Sequence, residues 1–82
     1  METVRIMGRV DFSSVMGEGD FWVLPVYFET KKHGDGSISV TFEAENNPTI
    51  TNLFDEIDES EQELMMGLIN RACLEVGKEL MA

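Results

Sequence analysis

The chain offers few groups from which a reaction could be built. Its single cysteine is Cys73 and its single histidine is His33. Covalent catalysis needs a nucleophile, a base and a group that orients the base. His33 lies in a glycine-rich turn, and no pattern ties it to Cys73. Cys73 falls at an apolar position of a helical repeat, where cysteine acts as a small hydrophobe. Carboxylates are so frequent that pairs of them carry no signal for acid–base work, and a solvated face accounts for them. The acidic run Asp55 to Glu63 invites a calcium reading, but counting from Asp55 puts Ile57 third, Ser60 sixth in place of glycine, and Met66 twelfth in place of glutamate. Gly17-Glu18-Gly19 and Gly34-Asp35-Gly36 lack the spacing and the lysine of phosphate loops, and a carboxylate between the glycines repels phosphate. The chain therefore reads as non-enzymatic, with no catalytic residue, metal site or cofactor expected.

What remains is surface character. Sixteen Asp and Glu oppose six Lys and Arg, a formal net charge of −10. Such a surface repels phosphate backbones and anionic headgroups. Direct contact with nucleic acid or membrane is not expected, and a basic protein partner is. Acidity also keeps a small domain soluble, so its distribution matters more than its sum. Between Lys32 and Arg71 there is no Lys or Arg, while Asp35, Glu43, Glu45, Asp55, Glu56, Asp58, Glu59, Glu61 and Glu63 occur. One side of the domain should then be strongly negative. The candidate partner-binding residues are Glu43, Glu45, Asp55, Glu56, Asp58, Glu59, Glu61 and Glu63. Leu74 joins them, because it lies opposite the apolar stripe of its helix, near Arg71, Lys78 and Met81.

The elements that must position these residues follow from periodicity. Residues 3–12 alternate, with Val4, Ile6, Val10 and Phe12 on one face and Thr3, Arg5, Met7, Arg9 and Asp11 on the other; period two marks a half-buried strand. Residues 13–20 read as a loop. Residues 21–30 read as a strand apolar on both sides, with Trp22, Leu24, Val26 and Phe28 opposed to Phe21, Val23 and Tyr27. Pro25 cannot donate to a ladder, so a bulge or an unpaired edge is expected there. Residues 31–36 form a hairpin loop, and 37–44 a third strand with Ile38, Val40, Phe42 and Ala44 inward. Ile50, Leu53, Phe54 and Ile57 have helical spacing, with Asn47 available as cap and Pro48 as first residue; a packed loop over 48–57 fits as well. Ser60 and Glu63 match a capping box ahead of the stripe Met65, Leu68, Ile69, Ala72, Cys73, Val76 and Leu80. Gly67 and Gly77 weaken that helix by roughly 1 kcal/mol each relative to alanine.

The fold expected is α+β: a three-stranded antiparallel meander, a short helix, and a longer amphipathic C-terminal helix on one sheet face, in a single domain over 1–82. A lone cysteine permits no internal disulfide. Glu2, Arg5 and Arg9 interrupt any leader-like apolar run, and no stretch nears the roughly 20 apolar residues of a membrane span, so a cytoplasmic protein is expected. In size and charge the chain is similar to small acidic phage and mobile-element proteins that block nucleic-acid-binding machines, anti-CRISPR-like inhibitors among them; that likeness carries over no residue. It implies a nucleic-acid mimic acting on a basic, nucleic-acid-binding complex. The alternative is a structural or assembly subunit, a homo-oligomer joined through Phe21, Val23 and Tyr27.

Overall fold

The computed structural model describes residues 2–17 and 19–81; Glu18, the acid of the first glycine-flanked turn, lies outside them. The order is β1 (Glu2–Asp11), α1 (Ser13–Met16), a 3-10 turn at Asp20–Trp22, β2 (Val23–Lys32), β3 (Ile38–Phe42), a second 3-10 turn at Ala44–Asn46, α2 (Pro48–Glu56) and α3 (Glu59–Met81). The strands form one antiparallel sheet in the order β1-β2-β3, and α3 packs against β3 and β1. This is the expected α+β arrangement. The alternating faces work as the period requires. Val10, Phe12, Val26 and Phe28 are buried with Ile50 of α2 and with Met65 and Ile69 of α3. Gly8 shares that inner face because a Cβ there would stand 3.2 Å from the Phe28 ring.

β2 is the central strand, yet it contains Pro25. Its register with β1 runs unbroken from Asp11↔Val23 to Glu2↔Lys32, so there is no bulge. β3 reaches only as far as Phe42, opposite Phe28. Backbone N–H groups alternate sides along a strand, and Tyr27 points its own toward the β3 side. Pro25, two residues before Tyr27, therefore turns its missing donor to the stretch β3 never reaches. The unpaired-edge reading is the right one.

Past the end of β3, a side chain takes the place of a strand. The Tyr27 N–H donates to Asn47 Oδ1 at 2.8 Å, and Asn47 Nδ2 donates to the Tyr27 carbonyl at 3.0 Å and to the Glu43 carbonyl at 2.8 Å. Asn47 is 3 % exposed. It precedes Pro48 at the first position of α2 as expected, but its amide makes no cap hydrogen bond; it is spent on the sheet.

Several boundaries differ from the sequence reading. Residues 13–20 are not simply a loop: the Phe12 carbonyl accepts the Val15 and Met16 N–H groups at 3.0 and 2.9 Å, and Asp11 Oδ1 accepts that of Ser13 at 2.9 Å, forming the single turn of α1. The second strand begins at Val23, since Phe21 and Trp22 belong to the 3-10 turn whose Trp22 carbonyl accepts the Phe12 N–H at 3.0 Å. That strand runs on to Lys32, and the hairpin shrinks to His33–Ser37, closed by the His33 N–H on the Ser37 carbonyl at 2.8 Å. β3 is shorter than 37–44, and Ala44 is exposed at the start of the next turn. Residues 48–56 are helix. Val4 and Leu80, assigned to the core faces, are 47 % and 43 % exposed because they meet at the open end of the sandwich.

A domain of this length has a net stability of about 4–12 kcal/mol, so two substitutions test the assembly. Ile69→Ala should cost about 2–5 kcal/mol in urea melts; a wild-type midpoint would mean α3 lies on the sheet by another face. Asn47→Ala leaves the Tyr27 and Glu43 backbone groups without their partner and should cost about 1–3 kcal/mol. Asn47→Asp should be destabilising too, increasingly so as pH rises and its carboxylate faces two carbonyl oxygens. An Asn47→Asp loss that ignores pH would count against the clasp.

Candidate functional site

The candidate acids fall in two groups, one at each end of α2, about 13 Å apart by helix rise. Glu43 precedes the 3-10 turn before α2, and Glu45 lies within it. Glu43 pairs with the carboxyl of Glu29 on the open sheet face, and its Oε2 accepts from Asn46 Nδ2 at 2.8 Å. Its pKa is raised by the hydrogen bond with Glu29, then by desolvation and the charges of Glu29 and Glu45, with Arg5 opposing. Glu29 and Arg5 were missed as neighbours of this group. The strand register, Arg5↔Glu29↔Thr41, sets them in one row.

The second group surrounds the corner between α2 and α3. The capping box is not Ser60 with Glu63 but Asp58 with Glu61. Glu61 N–H donates to Asp58 Oδ1 at 2.9 Å, and Asp58 N–H donates to Glu61 Oε1 at 3.3 Å. Ser60 Oγ also donates to Asp58 Oδ1, at 2.9 Å. The Glu61 N–H and then the Ser60 hydroxyl hold the Asp58 carboxyl below its ordinary value. Asp58 and Glu61 are thus committed to folding. Asp55, Glu56, Glu59 and Glu63 are exposed. Among the described residues the ion pair formed is Lys31 with Glu29 at 3.8 Å, so none of these four meets a cation.

Leu74 is 68 % exposed beside Met81 at 66 %, as its place on the helix implies. The two line a depression of about 470 Å³ with Ile38, Val40, Gly77 and Lys78. Helix rise puts Leu74 about 22 Å from Glu59, so it belongs to a different surface from the acidic corner. A third surface is the sheet face away from α3. Met7 and Tyr27 pair across strands there at 53 % and 41 % exposure, and Val23 is half-buried on the same face; Phe21, 68 % exposed beside the Trp22 ring, belongs to the 3-10 turn before β2 and not to the sheet. Arg5 and Arg9 stand on the same face.

The nucleophile candidates are apart. His33 Nε2 lies 2.7 Å from Ser39 Oγ. Ser39 faces away from α3, whereas Cys73 packs on the α3 side with Val40 and the core. Burial pushes the Cys73 thiol up, partly offset by a hydrogen bond with the Phe42 backbone. Among the described residues no three His, Cys, Asp or Glu side chains are grouped to hold a metal ion, and no helix is long and apolar enough to cross a membrane. Comparisons of the chain with protein-family models, curated proteins and solved structures found no match. What the geometry defines is an α+β domain with an acidic helix corner and two apolar surfaces.

Of the candidate acids, Glu43 and Asp58 have opposite pH signatures. A raised pKa gives stability that is complete below the unfolded value and lost as pH rises through the folded one. Glu43→Gln keeps an acceptor for Asn46 and a donor for Glu29, so it should raise the thermal midpoint near about pH 7 and not near about pH 3. Asp58 has a lowered pKa, so its contribution is present above the unfolded value and lost as pH falls through the folded one. Asp58→Asn keeps a cap acceptor and should flatten the acid limb of the midpoint–pH curve. Midpoint differences that are constant with pH would show that neither carboxyl acts through its charge.

Proposed function

We propose that this protein is a non-enzymatic inhibitor whose α2–α3 corner docks on a basic protein groove that otherwise holds nucleic acid. The observation that carries this reading is the position of Asp55 and Glu56. Both sit in the last turn of α2, at the negative end of its dipole, where carboxylates are disfavoured. Among the described residues neither has a cationic partner. Folding accounts for Asp58 and Glu61 through the cap, and for Glu59 at the favourable end of α3; it does not account for Asp55 and Glu56. With Glu59 they make a rigid array of negative charge at a tight helix–helix turn. A groove built for phosphates holds Lys and Arg whose mutual repulsion such an array relieves, and association is steered over the roughly 8–10 Å that salt leaves unscreened.

The test is displacement from DNA–cellulose loaded with cell lysate. The wild-type chain should elute a discrete basic protein at physiological salt. The Asp55→Asn/Glu56→Gln/Glu59→Gln variant, which leaves the cap intact, should not elute it. If wild type elutes only what the variant elutes, the mimicry reading fails. A second reading, a homo-oligomeric assembly subunit, is favoured by the uncovered Met7–Tyr27 pair with Val23 on the same sheet face. Met7→Lys or Val23→Lys should then abolish self-association without unfolding the chain.

A further inference from the structure

The outward side of α3 has a pattern that the fold does not use. Gly67, Asn70, Leu74, Gly77 and Met81 follow one line along the helix, spaced by three and four residues, and Met66, four before Asn70, borders it. Met66, Leu74 and Met81 are 39 %, 68 % and 66 % exposed. A Cβ at Gly67 would meet nothing within 4 Å, and one at Gly77 would make only an ordinary 3.7 Å contact with Val40. Neither glycine is required inside the chain, although each weakens the helix. Both halves of the line border hollows. One of about 470 Å³ lies between α3 and β3 at the Leu74–Met81 end, and one of about 390 Å³ lies between α3 and Phe54 of α2 at the Met66–Asn70 end.

We infer that two copies of this chain associate through this line, α3 against α3, antiparallel about a two-fold axis near residue 72. Three observations select a second copy in that orientation. Reversing the helix about that point brings Gly67 opposite Gly77 of the second copy, which gives two symmetric sites of close backbone approach, and brings Asn70 opposite Leu74. Leu74 and Met81 of each copy then lie over the hollow beside Phe54 of the other. Charge also selects the orientation. The first half of α3 carries Glu59, Glu61 and Glu63 and no cation, whereas in the second half Arg71 and Lys78 balance Glu75 and Glu79. The antiparallel pair sets Glu63 within one turn, about 4.5 Å of axial rise, of Lys78 from the second copy, whereas a parallel pair would set acid on acid. Finally, the two acidic corners fall at opposite ends, about 42 Å apart along the axis. The large net charges therefore do not stack, and Asp55, Glu56 and Glu59 stay uncovered. This surface is distinct from the open sheet face.

Sedimentation equilibrium of the full chain over a wide concentration range tests the inference. Wild type should show a monomer–dimer equilibrium. Leu74→Lys and Gly67→Leu should each raise the dimer dissociation constant about tenfold or more. Gly67→Leu should at the same time raise the thermal midpoint of the dilute monomer, so its loss of dimer cannot come from unfolding. Glu63→Lys and Lys78→Glu should each weaken the dimer, and the double variant should restore it, as only a contact between reversed copies can. Met7→Lys, on the sheet face, should leave it unchanged. A monomer at every concentration overturns the inference. So does a double charge swap no better than its single variants, or a Met7→Lys loss as large as that of Leu74→Lys.

Discussion

The structure turns on the side chain of Asn47. β1 and β2 are ten residues each, and β3 is five. On its β3 side, the first half of β2 is therefore an edge inside what is otherwise a central strand. Two devices close it. Pro25 has no N–H to satisfy, and the amide of Asn47 occupies both backbone groups of Tyr27 as a neighbouring strand would. The same amide holds the Glu43 carbonyl, so the end of β3 and the start of α2 are fixed to the sheet at one point. Pro48 then begins α2 directly from that anchor. A buried amide with its donors and its acceptor engaged is stabilising, whereas a half-satisfied one is not. This is why one residue can set the exit angle of the chain from sheet to helices.

From that anchor the rest is a sequence of fixed turns. α2 runs to Glu56, and Gln62 Nε2 donates to the Phe54 carbonyl at 2.9 Å, tying the end of α2 to the first turn of α3. The Asp58–Glu61 box starts α3, whose Met65 and Ile69 then reach Phe12, Val26 and Phe28. The acidic corner is as rigid as this chain of contacts makes it. It is held by a cap, a side-chain tie and the core, and not by the acids that project from it.

Those elements whose pattern is set by burial were legible in the sequence. Period two in β1 and β3 and the stripe of α3 reflect one buried face against one wet face, and a linear sequence records that directly. The parts that were not legible depend on contacts between distant residues. Both Asp58-Glu59-Ser60-Glu61 and Ser60-Glu61-Gln62-Glu63 fit a capping box; the choice falls to the first because α2 ends at Glu56 and Gln62 reaches back to Phe54. α1 is a single turn whose Val15 and Met16 pack on the core, too short to show a period. Asn47 reads as a cap from its neighbours, and only the early end of β3 gives it a different use. Of the acidic site, the exposed array was visible as a run of charge, but not which of its members are spent on the cap.

That division decides how the charge should be understood. A net charge of −10 destabilises any compact state through self-repulsion, so a fold under selection for stability alone would pair its acids or place them at helix N-termini. This chain does so at Asp58, Glu59 and Glu61. It does the reverse at Asp55 and Glu56, which add negative charge to the negative end of α2 and form no ion pair among the described residues. The open sheet face also holds Arg5 and Arg9, far in sequence from those acids, though they would have been available to neutralise a corner placed beside them. Arg5 instead stands in one row with Glu29 and near Glu43, so it offsets acids on the sheet face and leaves the field at the corner unreduced, at the expense of stability. On the proposed reading a positive partner offsets that cost, and the corner, two helix ends joined by a two-residue turn, is the part that enters its groove.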